Sequence, residues 1–134
     1  MKILIGVDGS AASLAAVRHA LALRAQQLAL EFVLVNVQEP PSLYEVVTAH
    51  DAERLSDVRR AAGEDLLAPA EALLREAGVE WESEVAGGEA VNLLPELAEN
   101  YGCDAMVLGR GGTALEIART AALPVTLVPA PEGS

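Results

Sequence analysis

Three glycines crowd together late in the chain: Gly109, Gly111 and Gly112, within VLGRGGTALEIARTAALPVTLVP (107–129). They follow a short apolar run and precede helix-forming sequence that opens at Thr113. Successive backbone N–H groups at such a strand-to-helix turn can hold a phosphate. Glycine suits that task because it lets the backbone approach a ligand and adopt positive φ. A tight turn needs glycine for its own conformational reasons, however, and neither GxGxxG nor a Walker pattern is present. On these residues alone both readings stand.

Asp8 ends the first apolar run, in KILIGVDGS, where its carboxylate could accept hydrogen bonds from a hydroxyl or a base edge. It could equally cap the turn with Gly9 and Ser10. His19 and His50 are the only histidines, and neither has a cysteine or second histidine at ligand spacing, so no metal site is expected. His19 is expected at the surface. Cys103, the one cysteine, precedes a strand and reads as a small core or half-buried residue. No GxSxG elbow occurs. The carboxylates of Glu80, Glu82 and Glu84 are expected on the solvated side of a strand. No catalytic centre is predicted.

The elements that must position these residues are legible. KILIGVD (2–8), LEFVLVNVQ (30–38), DAMVLG (104–109) and Pro124–Pro129 read as buried strands. VEWESEVA (79–86) alternates, as an edge strand with one wet face does. Ser10 can cap a helix whose Leu14, Val17, Leu21, Ala25 and Leu28 recur at helical spacing. Residues 39–49 begin with Pro40-Pro41 and read as a loop. A second helix is expected from about His50 to Ala77, broken or kinked at Gly63 and Pro69 and capped by Gly78. A third carries Val91, Leu94, Leu97 and Tyr101, with Pro95 obscuring its start, and Thr113–Ala121 forms a fourth.

The order β-α-β-α-β-α-β-α-β predicts an α/β protein: an open, doubly wound, five-stranded parallel sheet with helices on both faces, Rossmann-like. One domain is expected over residues 1–130, with a disordered tail at 131–134. Ligands of such sheets bind beyond the strand C-termini where strand order reverses. Those ends carry Asp8–Ser10, Asn36–Gln38 and Gly109–Thr113.

The 20 acidic residues against nine basic ones give a formal net charge of −11. That field repels phosphate backbones and anionic membranes. Scarce aromatics also leave few stacking platforms for single strands. No nucleic-acid or membrane partner is expected. The short N-terminal apolar run and the single cysteine suit a cytoplasmic protein.

ILIGVDGSAASLAAVRHAL, LVNVQEP, CDAMVLGRGG and ALPVTLVP together resemble, in order and spacing, the universal stress protein family across essentially the whole chain. The resemblance implies an adenine nucleotide alpha hydrolase-like fold, and a stress-response module that binds or signals without catalysis. The alternative it carries is an adenine-nucleotide sensor for ATP, ADP or AMP with weak or no hydrolysis. By resemblance, Asp8 contacts ribose or base, the Val37 backbone reads adenine, and Gly109, Gly111, Gly112 and Thr113 form the phosphate side.

Nucleotide-binding members carry G-x2-G-x9-G-[ST]. Gly109 and Gly112 satisfy G-x2-G, but Ala122 stands ten residues past Gly112, where the third glycine belongs. Counting back from Pro124-Val125 instead puts Gly111-Gly112 at the final G-[ST]. Either way one glycine loop serves where the family has two, so the expectation is against strong ATP binding. The resemblance also implies a homodimer paired antiparallel through the last strand, Pro124, Val125, Thr126, Leu127 and Val128. An enzyme would need a charged constellation, for which only Asp8, Glu39 and Arg110 qualify. A phosphoacceptor receiver would need a late lysine, and the only lysine is Lys2.

Overall fold

Apolar runs that alternate between two cores build the sheet. In the computed structural model, which describes residues 1–39 and 52–132, the strands are β1 (Lys2–Gly6), β2 (Glu31–Gln38), β3 (Trp81–Gly87), β4 (Ala105–Gly109) and β5 (Val125–Val128). The described helices are α1 (Ala11–Ala25), α2 (Ala52–Glu76), α3 (Ala90–Asn100) and α4 (Ala114–Thr120). All strand pairs are parallel, in the order β3-β2-β1-β4-β5. The predicted α/β class and five-stranded doubly wound sheet are therefore present. Strand order reverses between β1 and β4.

Side chains of one strand feed opposite faces. Ile3, Ile5, Phe32 and Leu34 pack with Ala16, Val17 and Ala20 of α1 and with Leu67, Ala70 and Leu74 of α2. Leu4, Val33, Val35, Met106 and Leu108 pack with Leu94, Leu97 and Ala98 of α3 and with Ala114 and Ile117 of α4. Full burial of each large side chain is worth about 1.5–3 kcal/mol. Cys103 is buried in the second core, as expected.

Several local expectations are corrected. Helix α1 stops at Ala25, three residues before Leu28, because Gln27 turns into the left-handed region at φ 75°. Ser10 does cap its start, its Oγ accepting from Ser13 N–H at 3.1 Å. Helix α2 runs unbroken through Gly63 and Pro69. Packing of Leu67, Ala70 and Leu74 holds the helix across the missing proline donor. Gly63 marks a close approach, since a Cβ there would run into Val85 and lie 2.9 Å from Asn36 Oδ1. Helix α3 likewise begins at Ala90 and continues through Pro95.

Strand β3 is an edge, as predicted, but its acidic face is not all wet. Glu84 is half-buried and accepts a hydrogen bond from Tyr101 Oη at 2.7 Å. His19 is half-buried too, not fully at the surface. His50, most of the expected 39–49 loop, and tail residues 133–134 lie outside the described residues. Among the described residues no helix is long and apolar enough to cross a membrane.

Candidate functional site

The reversal of strand order opens a crevice, because connections leave β1 and β4 in opposite directions. A cleft lies there, lined by Asp8 after β1, Ser13 of α1, Val35 and Val37 of β2, and Gly109, Gly111 and Thr113 at and after the end of β4. Its floor is apolar: Leu94 of α3, Leu108 of β4 and Ile117 of α4. Five of the six predicted site residues thus share one cleft. Gly112 stands in the same turn without lining it. The cavity measures about 90 Å³, or about 500 Å³ with its open mouth. The first value is small beside the roughly 300–1,000 Å³ of small-molecule sites. Wider hollows of about 520 and 480 Å³ at the opposite sheet end are lined by scattered charges such as Lys2, Arg24 and Glu31.

Each glycine has its own cause. A Cβ on Gly109 would lie 2.5 Å from the Ala12 carbonyl carbon and 2.6 Å from Ser13 N. Strand β4 is pressed against the first turn of α1, and packing alone demands this glycine. At Gly111 (φ 151°) and Gly112 (φ 53°) a Cβ would meet nothing within 4 Å, so their need is conformational. Beyond Gly109 the Arg110 N–H is taken by Val128 O, and the Ala114 N–H by Gly111 O. Thr113 caps α4 by position, without a side-chain cap bond.

Asp8 Oδ1 accepts from Ser10 N–H at 2.9 Å, so the turn-capping reading of this residue is met. Partial burial pushes the carboxyl up, but hydrogen bonding by Ser10, through side chain and backbone, and by Ser13 outweighs it. The group ends below its ordinary 3.8 and is ionised at neutral pH.

Val37 is placed by strand register. Val7 N–H donates to Val35 O, and Gly88 N–H to Gln38 O. Odd residues here therefore turn their backbone toward β1, and even ones toward β3. Strand β1 has already ended, so the Val37 backbone faces the cleft, where a base edge could meet it. Asn36, absent from the predicted site, closes the end of β1: it is 1% exposed and its Nδ2 donates to Val7 O at 2.8 Å. A polar residue between Val35 and Val37 in a buried strand was the available signal. Leu94 and Ile117 gave none, since only the fold brings them under the cleft.

No group of three His, Cys, Asp or Glu suited to a metal occurs among the described residues. Among the described residues, the lining holds one carboxylate and two hydroxyls, without a paired base and nucleophile.

The sequence profile of the universal stress protein family matches residues 1–129. The chain belongs to that family. A universal stress protein from Burkholderia pseudomallei is 27% identical, with a TM-score of 0.76 and 96% of each chain covered. A universal stress protein solved in complex with cAMP is 24% identical, at TM-score 0.73 with 98% of each chain covered. An Arabidopsis thaliana family member with AMP bound is 19% identical, at TM-score 0.75, covering 98% of this chain and 93% of that one. The last two share the fold. No curated protein matches the chain. Within this universal stress protein fold, only Arg110–Thr113 separate β4 from α4.

Proposed function

We propose that the chain is a cytoplasmic binding and signalling module of the stress response, non-catalytic, with an adenine-nucleotide site reduced on its phosphate side. The observation that carries this reading is the cleft at the β1/β4 reversal. It has an apolar floor, an ionised Asp8 and a Val37 backbone facing inward. The AMP and cAMP held by related structures support adenine compounds as the ligand class. The lone cysteine, Cys103, suits a reducing compartment.

Titration calorimetry of AMP into the protein tests the reading, with turnover of ATP followed separately. Saturable AMP binding, weakened by Asp8→Ala, without ATP hydrolysis is the expected result. Steady ATP turnover lost in Asp8→Ala would favour the sensor with hydrolysis instead.

We further propose a homodimer through β5. This strand is an edge, bounded by Pro124 and Pro129, with Val125 and Leu127 only half-buried. Antiparallel pairing with a second copy would be isologous and close at two subunits.

A further inference from the structure

We infer that the cleft sorts adenine compounds by phosphate number, taking adenosine and its monophosphate in preference to the di- and triphosphate. The inference rests on the reading above, that the cleft takes an adenine compound at all.

Three observations carry it. Among the described lining residues there is no Lys, Arg or His, and the one charge is the Asp8 carboxylate. Residues 40–51, outside the described set, contain no Lys or Arg by sequence, and His50 is their one basic residue. A polyphosphate therefore meets no cationic side chain in the described lining, in a chain of net charge −11.

The loop offers few neutral donors to compensate. Of the amides from Arg110 to Ala114, the first and last are already bonded to Val128 O and Gly111 O. Gly111, Gly112 and Thr113 retain their N–H groups, and Thr113 also has a hydroxyl unused in capping. Of these only Gly111 and Thr113 line the cleft, a small donor set for a chain of two or three phosphates. Asp8, by contrast, is an acceptor suited to a neutral ribose hydroxyl and opposed to an anion. Arg110 is the only cation in the loop, and its exposed side chain does not line the cleft.

Magnesium-free adenosine, AMP, ADP and ATP, each titrated into the wild-type protein at low and high salt, provide the test. Adenosine and AMP should bind similarly, with ATP about tenfold weaker or more at low ionic strength. Added salt should narrow that gap by screening the repulsion. Asp8→Asn should narrow it too, because the ribose contact is weakened for every ligand but the repulsion is relieved only for the charged ones. Arg110→Ala should leave ATP affinity unchanged. ATP binding tighter than adenosine, or a marked loss of ATP affinity in Arg110→Ala, would overturn the inference while leaving the adenine site intact. Absence of binding by all four compounds would overturn the underlying reading, and this inference with it.

Discussion

Gly109 sits against Ala12 so closely that no other residue fits: a Cβ would come within 2.5 Å of the Ala12 carbonyl carbon. The obstacle is backbone in the first turn of α1, which cannot swing aside as a side chain could. Gly109→Ala should therefore cost about 3 kcal/mol, at the upper end for overpacking. Gly111→Ala and Gly112→Ala meet open space and should cost only about 1 kcal/mol each, through their positive φ. Urea unfolding of the three variants gives the order. Equal losses at all three positions would refute the distinction.

Asn36 fastens the end of β1 through Val7 O, and its Oδ1 accepts from Gln38 Nε2 at 2.7 Å. Asn36→Ala strands a buried carbonyl and should destabilise by about 2 kcal/mol. Asn36→Asp should be worse at neutral pH, since it sets a buried charge against that carbonyl. Thermal unfolding compares them; an aspartate variant as stable as the wild type would remove Asn36 from this role.

Tyr101 supplies a pH dependence. Its hydrogen bond to Glu84, with burial and the charges of Glu84 and Glu82, holds the phenol neutral and pushes its pKa up to about 12 from an ordinary 10.0. A folded pKa raised above the unfolded one means the contribution is whole below about pH 10 and fades as pH climbs through about 12. Tyr101→Phe should remove this part of the alkaline loss and cost about 1 kcal/mol at neutral pH. Stability measured across that window decides it. Parallel alkaline loss in variant and wild type would show that Tyr101 contributes nothing there.

The β5 edge can be probed one hydrogen bond at a time. Met106 N–H donates to Pro124 O and Arg110 N–H to Val128 O, so alternate residues turn their backbone toward β4. Thr126 also faces inward, whereas Val125 and Leu127 present theirs to the free side. Leu127→Pro should yield a folded monomer, while Thr126→Pro should damage the sheet itself. Light scattering, with circular dichroism for the fold, separates these outcomes; a wild type that stays monomeric at tens of micromolar would exclude the edge pairing.

Much of the fold could be read from the residues because continuous apolar runs such as KILIG and AMVLG have few other stable homes. Misreadings arose where a long-range contact overruled a local preference. Gly63 looked like a helix breaker, yet Val85 and Asn36, distant in sequence, require it. Glu84 looked solvated until α3 delivered Tyr101 onto it. In the site, Asp8, Val37 and the glycine turn were visible as strand ends. Leu94 and Ile117 became apparent only when the sheet order was known, since nothing local ties them to the cleft. Asn36 stood out as a polar residue in an apolar strand, but its partner, Val7 O, did not.

The contrast between a jammed Gly109 and an open Gly111-Gly112 divides the chain into chassis and attachment. Gly109 is gripped by the first turn of α1, whereas the two glycines after it touch little that would resist their replacement. Doubling such a loop costs only about 0.6 kcal/mol in closure entropy. Lengthening it is thus the least disruptive way for this scaffold to change what it holds, and grafting longer donor-rich turns between Arg110 and Thr113 could diversify its ligands without rebuilding the core.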